Sequence, residues 1–360
     1  MIAVLVNSLT AVGYFRQILP TWELYRTGNN VDMVLINDIS LEVLSKYKVI
    51  HFHMNLIVYK PFRDIFDNLK LLGIRLIADI DDYWILPKTN PYYETHKVKN
   101  YIHSYINKID CITTTTKRFR DELKTHTKTK IVVLPNACDS SNPQFKINKV
   151  ESKKFRIGII GGASHLYDLD VLAGFQDYLD MSDKQIVLCG FDTRGVDKPE
   201  FSIWNAFEQK LTNDYKGLPK EYVNHLLSYN TEEYPYINDM YYKRNFARDI
   251  ESYASFYNEV DVLLAPLENS KFNNMKSELK AIEAGTMGVP IICSNVAPYS
   301  DILTNRENAL LVGNSPEKWA KAINEVIKNY DKYRFNLMSL IDDNYNLHTI
   351  NKKRIKLYDI

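Results

Sequence analysis

Short apolar runs alternate with polar, amphipathic stretches through the first half of the chain. Each run is a few residues long and apolar on both faces, which is the pattern of strands buried in a parallel sheet. The stretch Asp64–Leu72 has helical spacing and ends at Gly73, a residue that favours a helix C-terminus. The pattern predicts a doubly wound α/β domain with the strands Ile2–Val6, Val31–Ile36, Val49–His53, Ile74–Ile80, Cys111–Thr114 and Ile131–Leu134.

A second alternation follows a stretch without periodicity, 139–154, which we interpret as a linker. Its predicted strands are Phe155–Ile160, Gln185–Cys189, Val260–Ala265 and Pro290–Cys293. Its predicted helices are one beginning at Asp168, a polar helical region over about 200–258, then Ser277–Gly285, Pro316–Asn329 and a helical end from 330. We expect an N-terminal domain over 1–145, a C-terminal domain over 146–335, and a terminal helix over 336–360 that packs back on the N-terminal domain.

Length and composition fit a globular protein of two domains. At 360 residues the chain exceeds one typical core, and its net charge of +1 creates no overall field that would attract nucleic acid or anionic lipid. The four cysteines lie far apart without metal-ligand spacing, which favours buried reduced thiols and a cytoplasmic location. The opening residues lack the basic region of a signal peptide, and no run of about 18 apolar residues could span a membrane.

The segment 272–294 places a polar loop, a predicted helix and a strand in the order that a nucleotide site needs. Lys276 and Ser277 stand at the predicted helix N-terminus, where free backbone N–H groups and the helix dipole bind anions. Lys280 would project from the same first turn, and Glu283, two turns on from Lys276, could accept hydrogen bonds from ribose hydroxyls. These residues predict a site for a nucleoside diphosphate.

The run Glu283-Ala-Gly through Gly288-Val-Pro-Ile-Ile-Cys-Ser294 resembles the donor-binding motif of the family-four (group 1) GT-B glycosyltransferases. In that family a Glu-x7-Glu motif ends at such a run. Glu283 matches its second glutamate, which holds the donor ribose, whereas Met275 stands at the first. The form Lys276-Ser-Glu-Leu-Lys-x-Ile-Glu is closer to a divergent branch of phages and bacteria. The resemblance implies the GT-B fold, with two Rossmann-like domains and parallel sheets facing an interdomain cleft.

The same resemblance implies a reaction. A sugar would pass from a UDP- or GDP-linked donor to an acceptor hydroxyl with retention of configuration, and the departing diphosphate oxygen would help to deprotonate the acceptor. Lys276 would then be catalytic, because it would stabilise the leaving diphosphate. No metal cofactor is obligatory in this mechanism, although Mg²⁺ stays open as an addition.

A glycine-rich loop opens the predicted C-terminal domain. Gly161 and Gly162 follow a strand and would allow a phosphate close to the backbone, with His165 beside them. The family usually carries an Arg and a Lys just downstream, and this chain lacks both there. Arg244 and Arg248 are the candidates to supply the missing positive charge, with a solvated helix face as the alternative.

Three carboxylates, Asp79, Asp81 and Asp82, follow a predicted strand of the first domain. Loops at the carboxyl ends of such strands form the active cleft of open α/β sheets, so these residues are catalytic candidates that would bind the acceptor hydroxyl or act as a base. The pattern also matches the Asp-x-Asp metal motif of the GT-A class. That class lacks a second Rossmann unit, so the metal interpretation is secondary.

Other residues of the first half have weaker signals. The family resemblance implies that the loop before the first helix lies near the phosphate and the acceptor, which makes Gly13 and Arg16 candidates, with a plain turn and a surface arginine as the alternative. Pro135-Asn-Ala-Cys-Asp139 matches the family's Pro-Asn-Gly-Val-Asp, so Asn136 could line the cleft. His51 and His53 share one face of a strand and fit core histidines better than a metal pair.

The acceptor stays open at the level of the sequence. A glycan or lipid-linked sugar is the default for this fold. The basic segment 116–130 could contact a membrane surface or a DNA backbone, with a solvated helix face as the default interpretation. A hydroxymethylated base of phage DNA is an alternative, with Tyr83, Trp84, Tyr92 and Tyr93 as wedges. A third alternative, of another class, is a non-catalytic protein that binds nucleotide sugars or glycans, because Met275 replaces the usual glutamate.

Overall fold

The computed structural model describes residues 1–359 except 89, 91–92, 96, 163–164, 166, 191–202, 213–217, 228–240 and 246, and the side chains of 203–206, 222 and 225–227. Contacts divide the chain into two compact units. The N-terminal unit consists of Met1–Asp139, Lys271–Leu279 and Asn344–Ile360, and the C-terminal unit consists of Ser140–Ser270 and Lys280–Asp343. Three separate stretches of sequence therefore build the N-terminal unit.

The N-terminal unit contains a six-stranded sheet in which every pair of neighbouring strands is parallel. Its strands are β1 Ile2–Val6, β2 Val31–Leu35, β3 Val49–His53, β4 Arg75–Asp79, β5 Cys111–Thr114 and β6 Lys130–Val133, in the order β2-β1-β3-β4-β5-β6. Its helices are α1 Ala11–Gly13, a π-helical turn Tyr14–Ile18, α2 Leu19–Arg26, α3 Leu41–Leu44, α4 Lys60–Leu71, α5 Lys99–Tyr105 and α6 Lys117–Leu123. Short 3₁₀ turns span Ile36–Asp38 and Met54–Val58.

The C-terminal unit has a second six-stranded parallel sheet, in the order β12-β11-β10-β7-β8-β9. Its strands are β7 Phe155–Ile160, β8 Lys184–Cys189, β9 Tyr242–Asn245, β10 Val262–Ala265, β11 Ile291–Ser294 and β12 Leu310–Val312. The helices in this half of the sequence are α7 Ile203–Leu211, α8 Lys220–Leu227, α9 Lys271–Asn274, α10 Leu279–Thr286, α11 Tyr299–Ile302, α12 Pro316–Lys328, α13 Tyr330–Tyr345 and α14 Leu347–Tyr358. Further 3₁₀ turns span Pro143–Phe145, Asp168–Leu172, Phe175–Tyr178 and Tyr253–Glu259.

The two parallel, Rossmann-like sheets confirm the predicted fold class, while several local predictions need correction. The polar region over about 200–258 contains strand β9, and much of it lies outside the described residues. The helix predicted from Asp168 consists of two 3₁₀ turns, and strand β12 was not predicted. Both missed strands lie at sheet edges, where fewer buried positions make the apolar signal short.

Each unit buries its own hydrophobic core. In the N-terminal unit, Phe52, Phe62 and Phe66 pack ring against ring on one face of the sheet. On the other face, Leu357 and Tyr358 of α14 join a cluster with Ile77 and Cys111. The last helix thus completes the core of the first unit in the sequence. In the C-terminal unit, the core gathers Phe175, Phe207, Tyr242 and Trp319.

Candidate functional site

The carboxylate of Asp79, at the end of β4, lies in a buried ion pair. Arg16 donates to its two oxygens at 2.9 and 2.6 Å, and the Thr113 hydroxyl donates at 2.5 Å. Burial, the largest single effect, would raise the pKa of Asp79, but the charge and the hydrogen bonds of Arg16 together outweigh it and hold the pKa well below its usual range. With Asp79 only 2% exposed, this geometry favours a structural role over the predicted acceptor contact.

Arg16 also forms its hydrogen bonds inside the N-terminal unit. Besides Asp79, its guanidinium donates to the Leu134 carbonyl at 2.7 Å and to Asn136 Oδ1 at 3.1 Å. Arg16 therefore joins the ends of β4 and β6, and all three of its nitrogens already have protein acceptors. The predicted contact of Arg16 with donor phosphate does not fit this placement.

Gly13 ends α1, where the backbone comes back against the loop after β1. A Cβ atom on Gly13 would lie 1.8 Å from the Ser8 carbonyl oxygen, so only glycine fits here. This close approach explains the glycine without any ligand.

Asp81 and Asp82 differ sharply from Asp79. His53 Nε2 lies 2.7 Å from Asp81 Oδ1, and this carboxylate offsets the effect of burial and raises the pKa of His53. Asp82 is exposed, yet reduced hydration in its crowded surroundings and repulsion from Asp81 raise its pKa to about 6. This corner of the N-terminal unit therefore presents a carboxyl group that changes charge near neutral pH.

Lys276 lies near this acidic corner. Its charge partly offsets the raised pKa of Asp82, and its ammonium lies 5.1 Å from the centre of the Phe272 ring. Among the described residues no carboxylate forms an ion pair with Lys276, which is half-buried. A lysine with its charge available to a ligand is what the predicted phosphate contact requires.

The predicted start of the helix Ser277–Gly285 needs correction. Helix α10 begins at Leu279 rather than Ser277, so Lys276 and Ser277 lie in the loop before it. Asn136 donates to the Ser277 hydroxyl at 2.9 Å, which ties this loop to the end of β6. Because Asn136 also contacts Arg16, the Arg16–Asp79 pair supports the position of Ser277 indirectly.

Met275 and its neighbours anchor the loop in the N-terminal unit. Phe272 belongs to the hydrophobic core of that unit, and Met275 packs against the same core. Lys271 Nζ pairs with Glu122 Oε1 at 2.7 Å. Where the family has its first glutamate, this chain therefore has an apolar side chain that contributes to packing.

Glu283 lies within the C-terminal unit, on α10, and is 1% exposed. The Tyr257 hydroxyl donates to Oε2 at 2.6 Å, and Lys280 Nζ lies 3.4 Å from the same oxygen. Both contacts go to Oε2, so Oε1 has no hydrogen bond within the described part of the chain. The carboxylate is thus held by one oxygen and can accept hydrogen bonds at the other.

Lys280, in the first turn of α10, lies beside Glu283 and stabilises its charge. It also donates to the Tyr253 hydroxyl. Burial has the largest single effect and disfavours its charge, but the charges and hydrogen bonds of Glu283 and Tyr253 together outweigh it and raise the pKa of Lys280 above its ordinary value. Burial raises the pKa of Tyr253 to about 12, so this hydroxyl stays neutral near physiological pH.

The glycine-rich loop follows β7, as the sequence pattern suggests. No atom of the described residues would lie within 4 Å of a Cβ atom on Gly162. The Gly161 amide donates to the Cys189 carbonyl at 3.1 Å, and His165 Nδ1 lies 2.9 Å from Asp168 Oδ2. The described residues therefore leave space at Gly162, and Asp168 fixes the imidazole of His165.

The two arginines proposed to replace the family's missing Arg and Lys form ion pairs with protein carboxylates. Arg244 is buried and donates to both carboxylate oxygens of Glu208 at 2.7 Å. Arg248 donates to Ser255 at 2.6 Å and pairs with Glu259, and its guanidinium lies 4.2 Å from the Phe256 ring centre. Their predicted contact with diphosphate does not fit these positions.

Two candidate aromatic wedges for an extruded DNA base are also buried. Tyr83 is 4% and Trp84 3% exposed, and both belong to the core of the N-terminal unit. The Lys99 ammonium lies 4.8 Å from the centre of the Tyr93 ring, and Tyr92 lies outside the described residues.

The site also includes two residues whose roles were not predicted from the sequence, His53 and Tyr257. No spacing in the sequence connects either of them with its carboxylate partner.

Two further features are absent from the described ranges. No group of three or more His, Cys, Asp or Glu side chains is arranged to hold a metal ion. No helix there combines the length and apolarity needed to cross a bilayer. The four cysteines are free and buried, as predicted.

Comparison with known proteins adds the family context. Residues 237–329, which include Glu283, match the family model described as "Glycosyl transferases group 1". Sucrose-phosphate synthase from Thermosynechococcus elongatus superposes with a TM-score of 0.65 over 99% of this chain and 98% of that one, at 14% identity. The chain has the GT-B fold.

Two further GT-B relatives match over almost their full lengths. A glycosyltransferase from Rickettsia africae gives a TM-score of 0.67 at 15% identity, covering 99% of this chain and 97% of that one. Anabaena HepE, solved in complex with UDP and glucose, gives 0.63 at 13% identity, covering 99% and 98%. A search of curated proteins finds no match. The GT-B fold and the family-model match support glycosyl transfer from a nucleotide sugar.

Proposed function

We propose that the protein transfers a glycosyl group from a nucleoside diphosphate sugar, UDP- or GDP-linked, to an acceptor hydroxyl with retention of configuration. The observation that carries this proposal is the carboxylate of Glu283. It lies on α10, inside the stretch that matches the group 1 family model, and its Oε1 accepts no hydrogen bond from the described residues.

The nucleoside half of the donor would bind to the C-terminal unit. A ribose diol offers two hydroxyl donors, and Glu283 Oε1 can accept from them while Tyr257 and Lys280 hold Oε2. The protonated Lys280 also offsets the cost of a carboxylate in a site that is 1% exposed. The carboxylate is thus oriented before the donor arrives, which lowers the entropy lost on binding.

The diphosphate needs cations or aligned N–H groups, because negative charge grows on the leaving group during transfer. Lys276 is the candidate cation, since it forms no ion pair with the described carboxylates. The open backbone at Gly162 is the candidate surface for phosphate oxygens in the C-terminal unit. Arg16, Arg244 and Arg248 are left out of this assignment because their guanidiniums are already paired.

The acceptor hydroxyl would contact Asp82 in the N-terminal unit. Asp82 is exposed, and Asp81, fixed by His53, lies beside it. With a pKa of about 6, Asp82 is mostly ionised at neutral pH and can accept the acceptor's hydrogen bond. The departing diphosphate oxygen would take the proton, so Asp82 orients the hydroxyl.

We favour a glycan or lipid-linked sugar as the acceptor and the cytoplasm as the location. Burial of Tyr83 and Trp84 removes two of the wedges that a DNA acceptor would use. The basic residues around α6 would suit a lipid-linked acceptor at an anionic membrane surface. Four free, buried cysteines suit a compartment that keeps thiols reduced.

The test measures binding and turnover separately. Wild type, Glu283→Gln and the surface control Glu317→Gln are screened by thermal shift and by sugar release with UDP- and GDP-sugars. We expect one donor class to stabilise the wild type and the control, with a loss of about tenfold or more in affinity for Glu283→Gln. If no nucleoside diphosphate stabilises the wild type, the donor site is wrongly assigned. Affinity without turnover on any acceptor would favour the non-catalytic alternative.

A further inference from the structure

A pocket of about 490 Å³ lies at the amino ends of the strands in the C-terminal sheet. Phe155 begins β7, Asp261 directly precedes β10, and Gly288 lies in the turn before β11. Because these strands are parallel, the three residues share one edge of the sheet. Gly162 follows β7 at the opposite edge. This amino-edge pocket is therefore separate from the residues assigned to the donor and the acceptor.

The walls of the amino-edge pocket are mostly apolar. They include the side chains of Ile147, Phe155, Met287, Ile327 and Tyr330. Ile147 and Ile327 remain 40% and 37% exposed, so the protein alone does not cover them. The volume falls in the range of about 300–1,000 Å³ that small-molecule sites occupy.

Gly288 keeps one side of this pocket open. Its φ of 63° already favours glycine, and a Cβ atom there would lie 3.2 Å from Arg334 Nε and 3.4 Å from Ile147 Cδ1. A side chain at this position would therefore occupy the space between Arg334 and one of the pocket's apolar walls.

Two cations line the pocket. Arg334 forms no ion pair with the carboxylates that the structure describes. Lys149 donates to the Val260 carbonyl and lies 3.6 Å from Asp261. Arg156, however, already holds both oxygens of Asp261 at 3.1 and 3.0 Å. The positive charge of the pocket is thus incompletely balanced, and burial lowers the pKa of Lys149 to about 8.

We propose that the amino-edge pocket binds a small amphipathic anion, an organic phosphate or carboxylate with a short apolar body. Arg334 would bind the anionic head in the two-pronged manner of a guanidinium, with Lys149 as the second cation. The apolar body would cover Ile147 and Ile327. No residue of the proposed donor or acceptor site takes part, so the proposal stands or falls independently of glycosyl transfer.

The test uses hexyl phosphate and hexanoate as probes in calorimetric titrations of the full chain. We expect one binding site per chain, weakened about tenfold or more by Arg334→Gln because a hydrogen-bonded charge contact is lost. Ile327→Ser should also weaken binding. Two variants should leave probe binding unchanged. Lys328→Gln removes an exposed cation from α12, the helix of Ile327, without changing a residue that lines the pocket, and Glu283→Gln changes the proposed donor site.

Several results would overturn the proposal. One is the absence of binding by both probes, and another is binding that Arg334→Gln leaves intact. Inorganic phosphate binding as tightly as hexyl phosphate would show that the apolar walls contribute nothing. A last arm uses vesicles containing phosphatidic acid: binding to these vesicles, without binding of the free probes, would replace the small molecule by a lipid surface.

Discussion

The Tyr257 hydroxyl donates a 2.6 Å hydrogen bond to Glu283, across 26 positions of sequence. Both side chains are buried in the C-terminal unit, so the bond fixes the carboxylate before any ligand is bound. Other members of the same unit make similar bonds without a proposed function. The Tyr333 hydroxyl, for example, donates to Glu325 at 2.7 Å. Substituting each of these two tyrosines in turn can therefore separate an effect on nucleotide binding from an effect on the stability of the fold.

Tyr257→Phe should weaken nucleoside diphosphate binding by up to about tenfold, because the carboxylate loses its fixed orientation. Titration of the nucleotide measures the effect. Tyr333→Phe removes a comparable hydrogen bond and should lower stability without changing nucleotide affinity. Equal losses of affinity in the two variants would mean that Tyr257 acts only through the fold.

Transfer to the acceptor should rise with pH through about 6 and then level off, because Asp82 loses its proton in that range. The measurement is kcat against pH with saturating donor and acceptor. Asp82→Asn should reduce kcat and remove this rise, while nucleotide affinity stays the same. A rise that persists in Asp82→Asn would assign the titration to another group.

Arg16→Met should destabilise the fold by about 3–5 kcal/mol, because Asp79 would keep a buried charge without its partner. Urea unfolding measures the change. Lys60→Met, which breaks the exposed pair with Asp64, should cost less than about 1 kcal/mol. If the two variants unfold alike, the Arg16–Asp79 pair is not the structural element described above.

Met275→Glu, which restores the family's first glutamate, should lower the stability by about 1–3 kcal/mol because it places a carboxylate against the apolar core. Thermal melting measures the loss, and Met275→Leu should retain nearly wild-type stability. Unchanged stability together with faster turnover in Met275→Glu would instead show that this position contacts the donor sugar.

The central strands could be predicted from the sequence. The edge of the N-terminal sheet that carries the acidic residues could also be predicted. Strands β1, β3 and β7 match their predicted bounds because strands covered on both faces are mostly apolar. The contact partners of the site residues could not be predicted from the sequence. Arg16 meets Asp79 across 63 positions, and neither residue type nor spacing distinguishes that buried pair from a ligand site. Only the three-dimensional packing separates Asp79 from the exposed Asp82.

The division of the chain also bears on how the core of the N-terminal unit is completed. The segments of the C-terminal unit end at residue 343, whereas those of the N-terminal unit include Asn344–Ile360. Leu357 and Tyr358 fill one face of its core, and the Tyr358 hydroxyl lies 2.7 Å from His51 Nδ1 on β3. The core of the N-terminal unit therefore closes only with a segment that follows the whole C-terminal unit in sequence, so the contacts that complete it are long-range along the chain.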